Sequence, residues 1–237
     1  MEKLTIMAFT PHPDDAELLC AGTLAKYKDQ GHNVCIAIAT NGNAGNIKFK
    51  PTELAMVRER ESREAAQVLG AEFIWLGIED EFLLNNKETR LQFVEAIRGC
   101  RADIILTCDS EDYHPDHKMI SELVFDASFT ASLPLVETES EALVKVPSVY
   151  YFDTVYGINF IPEEYVDITK YIDTKIEMLS KHKTQLEFMR EYYKMDMIED
   201  MKVVAQYRGL QCGVRYAEGF RVMRVFPRMK TERELPS

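Results

Sequence analysis

Short apolar runs alternate along the chain with segments whose apolar residues recur every three or four positions. The runs predict buried strands, because they are brief, are bounded by turn residues and are rich in branched and aromatic side chains. The segments with helical spacing predict amphipathic helices. Strands that alternate with helices indicate an α/β fold with a mostly parallel central sheet and helices on both faces. The predicted strands cover residues 4–9, 34–40, 73–76, 103–108, 148–152 and 220–226, and the predicted helices follow residue 15 and cover residues 54–69, 91–97, 119–124 and 168–189.

The stretch between residues 132 and 146 breaks this pattern. This stretch has neither an apolar strand-like run nor apolar residues at helical spacing, and its alternating glutamates predict a solvated acidic loop. The chain of 237 residues, 46% of them hydrophobic, is long enough to bury one sizeable core. We therefore expect a single domain over residues 1–237.

Net charge limits the kinds of molecule that the protein is expected to bind, and cysteine content indicates its cellular compartment. The formal net charge of −11 argues against nucleic acid or an anionic membrane surface, since either would attract a basic stripe. A neutral or cationic small molecule fits better. The five cysteines are scattered and include no C-x-x-C pair, which predicts neither a disulfide framework nor a thiolate zinc site. A reducing, cytoplasmic location is expected, with no signal peptide and no membrane-spanning run.

Two clusters of metal-ligating side chains follow predicted strands. His12, Asp14 and Asp15 belong to a His-Pro-Asp-Asp motif after the first strand, and His114 and His117 belong to a His-Pro-Asp-His motif after the fourth. Open α/β sheets bind their ligands at the carboxyl ends of parallel strands. We therefore expect the two clusters to converge on one site.

Histidine and aspartate are ligands of catalytic zinc, which keeps one position for water. His12, Asp15 and one downstream histidine would supply such a set, and the residues alone do not decide between His114 and His117. Bound zinc lowers the pKa of water to about 7 and polarises a carbonyl, as hydrolysis of an amide or ester requires. Asp14 is then the candidate general base.

The downstream histidine that does not bind the metal is expected to stabilise an oxyanion or protonate the leaving amine. Asp116 is a candidate to hydrogen-bond a ring nitrogen and fix its tautomer. A simpler interpretation makes the first motif a polar turn in which Asp14 or Asp15 only caps a helix, but the second cluster favours the metal site. A dinucleotide site is disfavoured, because no G-x-G-x-x-G follows the first strand.

The paired motifs resemble those of the LmbE/PIG-L family of zinc-dependent N-acetylglucosaminyl deacetylases. The resemblance implies a Rossmann-like three-layer α/β sandwich. It also implies removal of the N-acetyl group from an N-acetylglucosamine-containing small molecule or glycoconjugate. The further segments that carry the likeness are residues 18–25, 58–61, 65–70 and 216–221.

The same resemblance assigns roles to individual residues. His12, Asp15 and His117 would bind Zn²⁺, with Fe²⁺ as the alternative metal. Asp14 would be the general base, and His114 the electrostatic or acid catalyst. Relatives form oligomers, so the resemblance also implies a homo-oligomer.

Other site residues follow from the resemblance as well. Asp116 would stand behind the catalytic histidine, and Arg58 matches a family arginine near the substrate. Without the resemblance, Arg58 would be read as part of a solvated charged helix face. Asn41 stands where many members have aspartate, so it is expected to line the site and to alter sugar recognition.

The oxyanion donor is left open. Some relatives place an oxyanion-binding tyrosine at the position of Asp112, whereas here Tyr113 follows that position. Tyr192 and Tyr193 are alternative donors. His182, within the predicted helix over residues 168–189, is read as a solvated or packed polar residue.

Two alternative functions keep the same site. One is an amidase that cleaves a larger amide, such as a thiol-sugar conjugate. The other is a metal- or sugar-binding module without turnover, and the presence of Asp14 beside the expected ligands argues against it.

Overall fold

The computed structural model describes residues 3–236, which form seven strands and eight α-helices. The strands are β1 (Thr5–Thr10), β2 (Asn33–Thr40), β3 (Glu72–Ile78), β4 (Ile104–Thr107), β5 (Ser148–Phe152), β6 (Glu164–Asp167) and β7 (Ala217–Val222). The helices are α1 (Asp15–Leu19), α2 (Ala21–Asp29), α3 (Pro51–Leu69), α4 (Lys87–Cys100), α5 (Pro115–Thr130), α6 (Ile172–Leu179), α7 (Lys183–Phe188) and α8 (Met197–Cys212).

All seven strands belong to one sheet, in the order β3-β2-β1-β4-β5-β7-β6. Strands β1 to β5 run parallel, and β7 is antiparallel to both β5 and β6. Ile6 of β1 pairs with Val34 on one side and with Ile104 on the other. Strand β1 is therefore an interior strand, and its carboxyl end lies between those of β2 and β4.

Helices cover both faces of the sheet. Helices α4 and α5 pack together against β1, whereas α1, α2 and α3 all contact α6. Ile6, Met7, Ala8 and Phe9 are completely buried. A strand covered on both faces needs apolar side chains at successive positions, which is why β1 reads as a continuous apolar run rather than an alternating one.

The predicted α/β class and the mostly parallel sheet are confirmed. Helix α3 has the predicted end signals, with Pro51 at its first turn and Gly70 in the left-handed conformation (φ 56°) at its carboxyl end. Residues 132–146 contain neither helix nor strand, as expected. The last predicted strand lies earlier than expected, because β7 begins at Ala217 and ends at Val222.

Two predicted helices are each divided in two. The helix expected after residue 15 is interrupted at Cys20, which has φ −146° and ψ 5°. The long helix expected over residues 168–189 was wrong, because the chain bends between α6 and α7 and His182 precedes the second helix. The bend places the buried side chain of His182 against α1 rather than on a helix surface.

Strand β6 and helix α8 were missed. In α8 the buried residues include Met201, Ala205 and Arg208, whereas Val203 and Leu210 are exposed. The apolar residues therefore do not form one stripe, and the helical period is hidden. Among residues 3–236, no helix is both long and apolar enough to span a bilayer. A cytoplasmic location stays a prediction.

Candidate active site

The first motif is a tight turn between β1 and α1. The backbone N–H of His12 donates to Oδ2 of Asp15 at 2.9 Å, so a side chain of the motif itself stabilises the turn. Asp14 precedes the helix with φ 97° and ψ −20°, in the left-handed region that non-glycine residues rarely adopt. Its side chain is buried, and Oδ2 makes no hydrogen bond within the described structure. A strained backbone and an unpaired buried carboxylate are typical of functional sites.

The second motif forms the start of α5. His114 is the N-cap residue, and Pro115 fills the first helical position, where its missing N–H costs nothing. Asp112 binds both histidines of the motif: Oδ1 accepts from the backbone N–H of His114 at 2.9 Å, and Oδ2 lies 3.0 Å from Nδ1 of His117. This buried aspartate therefore orients the entire cluster.

The two clusters converge. The ring centroids of His12 and His114 are 4.7 Å apart, those of His12 and His117 are 5.3 Å apart, and those of His114 and His117 are 4.9 Å apart. Each of the three imidazoles offers a nitrogen within 4.8 Å of the other two. The carboxyl ends of β1 and β4 thus place three potential metal ligands around one point.

Asp15 lies between two of these histidines. Its Oδ2 is 3.1 Å from Nδ1 of His12, and its Oδ1 is 3.4 Å from Nε2 of His117. Burial by itself would raise the pKa of Asp15, but the charges and hydrogen bonds of His117 and His12 hold it well below its usual value. Asp15 is therefore a carboxylate at neutral pH, as a metal ligand must be.

The surroundings of His12 favour a cation. Burial lowers the pKa of His12, yet the nearby carboxylates of Asp116 and Asp15 raise it to about 10. Nε2 of His12 is buried without a hydrogen-bond partner, and it lies 3.4 Å from carboxylate oxygens of both Asp80 and Asp116. An unpaired imidazole nitrogen surrounded by carboxylates fits a divalent metal, because all these groups are zinc or iron(II) ligands.

Asp116 occupies a place different from the expected one. Its carboxylate lies beside His12 and accepts from the backbone N–H of Glu81 at 3.0 Å, while only its backbone N–H donates to Nδ1 of His114 at 3.3 Å. The carboxylate that contacts a ring nitrogen of the second motif is that of Asp112. Its position before His114 in the chain is the signal that could have pointed to it.

Asp80 and Glu81 were not predicted as site residues. They follow β3, which is separated from β1 by β2, and the loop brings Glu81 Oε1 to 3.4 Å from Nε2 of His114. Asp80 also accepts from Oγ1 of Thr40 at 3.2 Å. The one feature of the sequence that could have pointed to Asp80 and Glu81 is that they also follow a strand, at the same edge of the sheet as the two histidine motifs.

Arg58 is buried rather than part of a solvated face. Its Nη2 donates to the carbonyl of Gly45 at 2.8 Å and to Oε1 of Gln185. Asn41 holds the same loop after β2: its Oδ1 accepts from the backbone N–H of Asn43 at 3.1 Å. Both residues thus lie on the wall beside the first motif, and their contact with substrate stays a prediction.

A second buried layer lies behind Asp14. Nε2 of His182 is 3.3 Å from Oε2 of Glu17, and both side chains are 1% exposed. Burial and the charge of Asp15 raise the pKa of Asp14 to about 7, while the charges of His182 and Arg58 oppose this rise. A carboxylate whose pKa is near neutral is suited to accept and release a proton.

The candidate tyrosines lie at the surface. Tyr113 is 46% exposed, and Tyr192 and Tyr193 form an exposed aromatic cluster with Phe188. None of the three tyrosine hydroxyls is hydrogen-bonded to a residue of the metal cluster among the described residues. The identity of the oxyanion donor remains a prediction.

The sequence profile of the PIG-L family, described as GlcNAc-PI de-N-acetylase, matches residues 7–128. This range is just over half of the chain and extends from β1 into α5, so it includes both histidine clusters. The match confirms the resemblance on which the site assignment depends.

Individual relatives extend the similarity over most of the chain. The chain is 28% identical over 228 residues to diacetylchitobiose deacetylase from Thermococcus kodakarensis, covering 91% of this chain and 82% of that protein. It is 26% identical over 243 residues to 4-oxalmesaconate hydratase from Pseudomonas putida, covering 94% of this chain and 90% of that protein.

The structural comparison agrees with the sequence comparison. The solved structure of N,N'-diacetylchitobiose deacetylase from Pyrococcus horikoshii superposes with a TM-score of 0.81 at 26% identity, covering 94% of this chain and 84% of that chain. The family match over more than half of the chain and this superposition lead to one conclusion: the chain belongs to the LmbE/PIG-L family.

Proposed function

We propose that the chain is a metal-dependent hydrolase that removes the N-acetyl group from an N-acetylglucosamine-containing small molecule or glycoconjugate. The observation that carries this proposal is the convergence of His12, Asp15 and His117 beside the unpaired carboxylate of Asp14. Family membership supports hydrolytic N-deacetylation. The Thermococcus and Pyrococcus relatives support an amino-sugar substrate, because both are named for diacetylchitobiose.

The geometry favours His117 over His114 as the third metal ligand. Nδ1 of His117 lies 3.0 Å from the carboxylate of Asp112, so in the neutral ring Nδ1 would carry the proton and Nε2 would offer its lone pair to the metal. Nδ1 of His114 instead accepts the backbone N–H of Asp116, so the neutral ring carries its proton on Nε2. His12, Asp15 and His117 would hold the metal, and His114 would be a donor.

When bound, Zn²⁺ or Fe²⁺ at these ligands would acidify water and polarise the amide carbonyl. Asp14 accepts the proton of the attacking water, for which it has a buried oxygen without a partner and a pKa near neutral. The Nε2–H of His114 donates to the oxyanion or to the leaving amine. The carboxylate of Asp112 holds the ring of His117, and the backbone N–H of Asp116 holds the ring of His114, so both contacts limit reorganisation during the reaction.

Substrate binding is assigned to the loop after β2. Arg58 stabilises this loop by donating to the carbonyl of Gly45, and Asn41 stabilises it by accepting from the backbone N–H of Asn43. Replacement of the usual aspartate by Asn41 leaves a neutral amide at this wall, which suits a neutral sugar.

A second candidate reaction comes from the Pseudomonas putida relative, which is named as a hydratase. Its named substrate is a carboxylic acid, and an anionic substrate needs free cationic side chains. Of the nearby arginines, Nη2 of Arg58 already donates to Gly45 and Gln185, and Arg221 pairs with Asp109. The carboxylates of Asp80 and the other acidic residues of the site would repel a polyanion, so hydrolysis of a neutral amide is favoured.

The test is acetate release from a panel of N-acetylglucosaminides by metal-loaded protein, with a chelator-treated sample as the control. Release that depends on metal supports the proposal and ranks the substrates. A folded, metal-loaded protein that releases no acetate contradicts the proposal. Parallel assays with a larger thiol-sugar amide and with an unsaturated dicarboxylic acid then distinguish the amidase and the hydratase from a binding module.

A further inference from the structure

A cavity of about 170 Å³ lies between the loop after β2 and the surface formed by α7 and the turn that follows it. Its apolar walls are Ile47 and Phe49 on the loop and Phe188 and Tyr192 on the opposite side. Ile47 is 73% exposed and Tyr192 is 59% exposed. Large apolar side chains that face each other across an open cavity indicate a binding surface for an apolar group.

The cavity lies next to Arg58. Gly45, whose carbonyl accepts from Arg58, directly precedes the loop wall, and Gln185, the other acceptor, lies in α7 between the lining residues Thr184 and Glu187. The side chain of Arg58 also approaches the first motif, since a Cβ atom at Gly42 would lie 2.7 Å from Cδ of Arg58 and 3.2 Å from Cγ of Pro13. Arg58 therefore binds a residue beside each wall and connects the cavity to the active site.

Most polar side chains around the cavity are already paired. Asn46 accepts from the backbone N–H of Lys48 at 2.8 Å and donates to the carbonyl of Thr184 at 3.4 Å. The Thr184 hydroxyl donates to Glu61 at 2.6 Å, and the ammonium of Lys48 pairs with Glu191. A sugar ring would need free partners for its hydroxyls, whereas an apolar group needs none.

The aromatic wall is ordered before any ligand arrives. Phe188 and Tyr192 stack with ring centroids 5.4 Å apart and an interplanar angle of 16°, and Tyr193 packs edge-on against both rings. Both tyrosines belong to a π-helical turn, Met189–Tyr193, which Phe188 directly precedes. Such turns are frequent at functional sites, and a preformed aromatic surface loses little entropy on binding.

We infer that this cavity binds an apolar aglycone, an aryl group or an alkyl group of similar size, carried by the N-acetylglucosaminide. The inference rests on the proposed deacetylase function and adds the substrate class. The volume suits one ring, since a cavity of roughly 150 Å³ holds a benzene molecule. Glu187, exposed at the rim, and the net charge of −11 disfavour an anionic aglycone.

The experiment compares kcat/KM for acetate release from three N-acetyl-β-D-glucosaminides, with phenyl, methyl and a second N-acetylglucosamine as the aglycone. Burial of an aryl ring predicts a preference for phenyl over methyl of about tenfold or more. A ratio near one, or a preference for the disaccharide, overturns the inference and leaves the deacetylase intact. Absence of acetate from all three overturns the proposed function, and the inference with it.

Two variants locate the preference. Ile47→Ala and Tyr192→Ala each remove apolar surface from an opposite wall, so each should lower the phenyl-to-methyl ratio about threefold or more. Leu210→Ala, which truncates an 80% exposed apolar residue on α8, is the matched control and should leave the ratio unchanged. A wild-type ratio in both wall variants contradicts the assignment of this cavity. Because both side chains are exposed, circular dichroism should show a wild-type fold.

Discussion

Oδ2 of Asp112 lies 3.0 Å from Nδ1 of His117, and both side chains are buried. A carboxylate can only accept a hydrogen bond, so this contact favours the tautomer with its proton on Nδ1, and Nε2 lies 3.4 Å from Oδ1 of Asp15. The choice between the two downstream histidines therefore depends on a residue outside both motifs.

Removal of this orienting carboxylate should weaken metal binding. Asp112→Asn is expected to lower zinc affinity about 10- to 100-fold, because carboxylates that orient a ligating histidine contribute on that scale. Competition titration against a chromophoric chelator measures the effect, with the exposed Asp173→Asn as the control. Unchanged affinity in Asp112→Asn would show that His117 is not a ligand.

Asp14 is expected to act on the proton rather than on the metal. Asp14→Asn should reduce kcat about 10²- to 10⁴-fold, the usual contribution of a general base, while the bound metal per chain stays the same. Asparagine also tolerates the left-handed backbone of this position (φ 97°), so the fold should be retained. Loss of metal from this variant would identify Asp14 as a ligand instead.

Gly42 should control the position of Arg58. A Cβ atom at Gly42 would lie 2.7 Å from Cδ of Arg58, whereas at Gly31 it would meet nothing within 4 Å, and both glycines have positive φ. Gly42→Ala and Gly31→Ala should each cost about 1 kcal/mol of backbone strain. Only Gly42→Ala should also lower kcat/KM for acetate release. Equal activities in the two variants would argue against a role for Arg58.

The buried pair of Glu17 and His182 should make stability depend on pH. Burial lowers the pKa of His182, but the charge and hydrogen bond of Glu17, with the charge of Asp14, outweigh it and raise the pKa. A histidine whose pKa is raised in the fold stabilises the fold fully at pH values below its pKa in the unfolded chain, about 6.5. This stabilisation is lost as pH rises through its pKa in the folded chain.

His182→Phe leaves the buried Glu17 carboxylate without a partner, which should cost about 3–5 kcal/mol of unfolding free energy near pH 6. The difference in unfolding free energy between the variant and the wild type should shrink as pH rises through the pKa of folded His182. Above that pH the wild-type His182 loses its proton and no longer pairs with Glu17 as a cation. Urea unfolding at several pH values, with a chelator present in all samples, measures the difference. A constant difference between pH 6 and 9 would show that His182 is not charged in the fold.

Local pattern alone was enough for most of the fold and for the centre of the site. Apolar runs such as residues 4–9 predicted the central strands, because a strand covered on both faces must be apolar throughout. The two histidine motifs were predicted to converge, because carboxyl ends of parallel strands share an edge. Helix α8 escaped prediction, since its exposed Val203 and Leu210 obscure the helical period.

What tertiary structure decided concerns contacts between residues far apart in the chain. Asp80 reaches His12 only because β3 and β1 belong to one sheet, and His182 reaches Glu17 only because the chain bends before α7. The sequence determined which chemical groups are available at the sheet edge. Their pairing, protonation and burial depend on packing across elements, which local spacing does not encode.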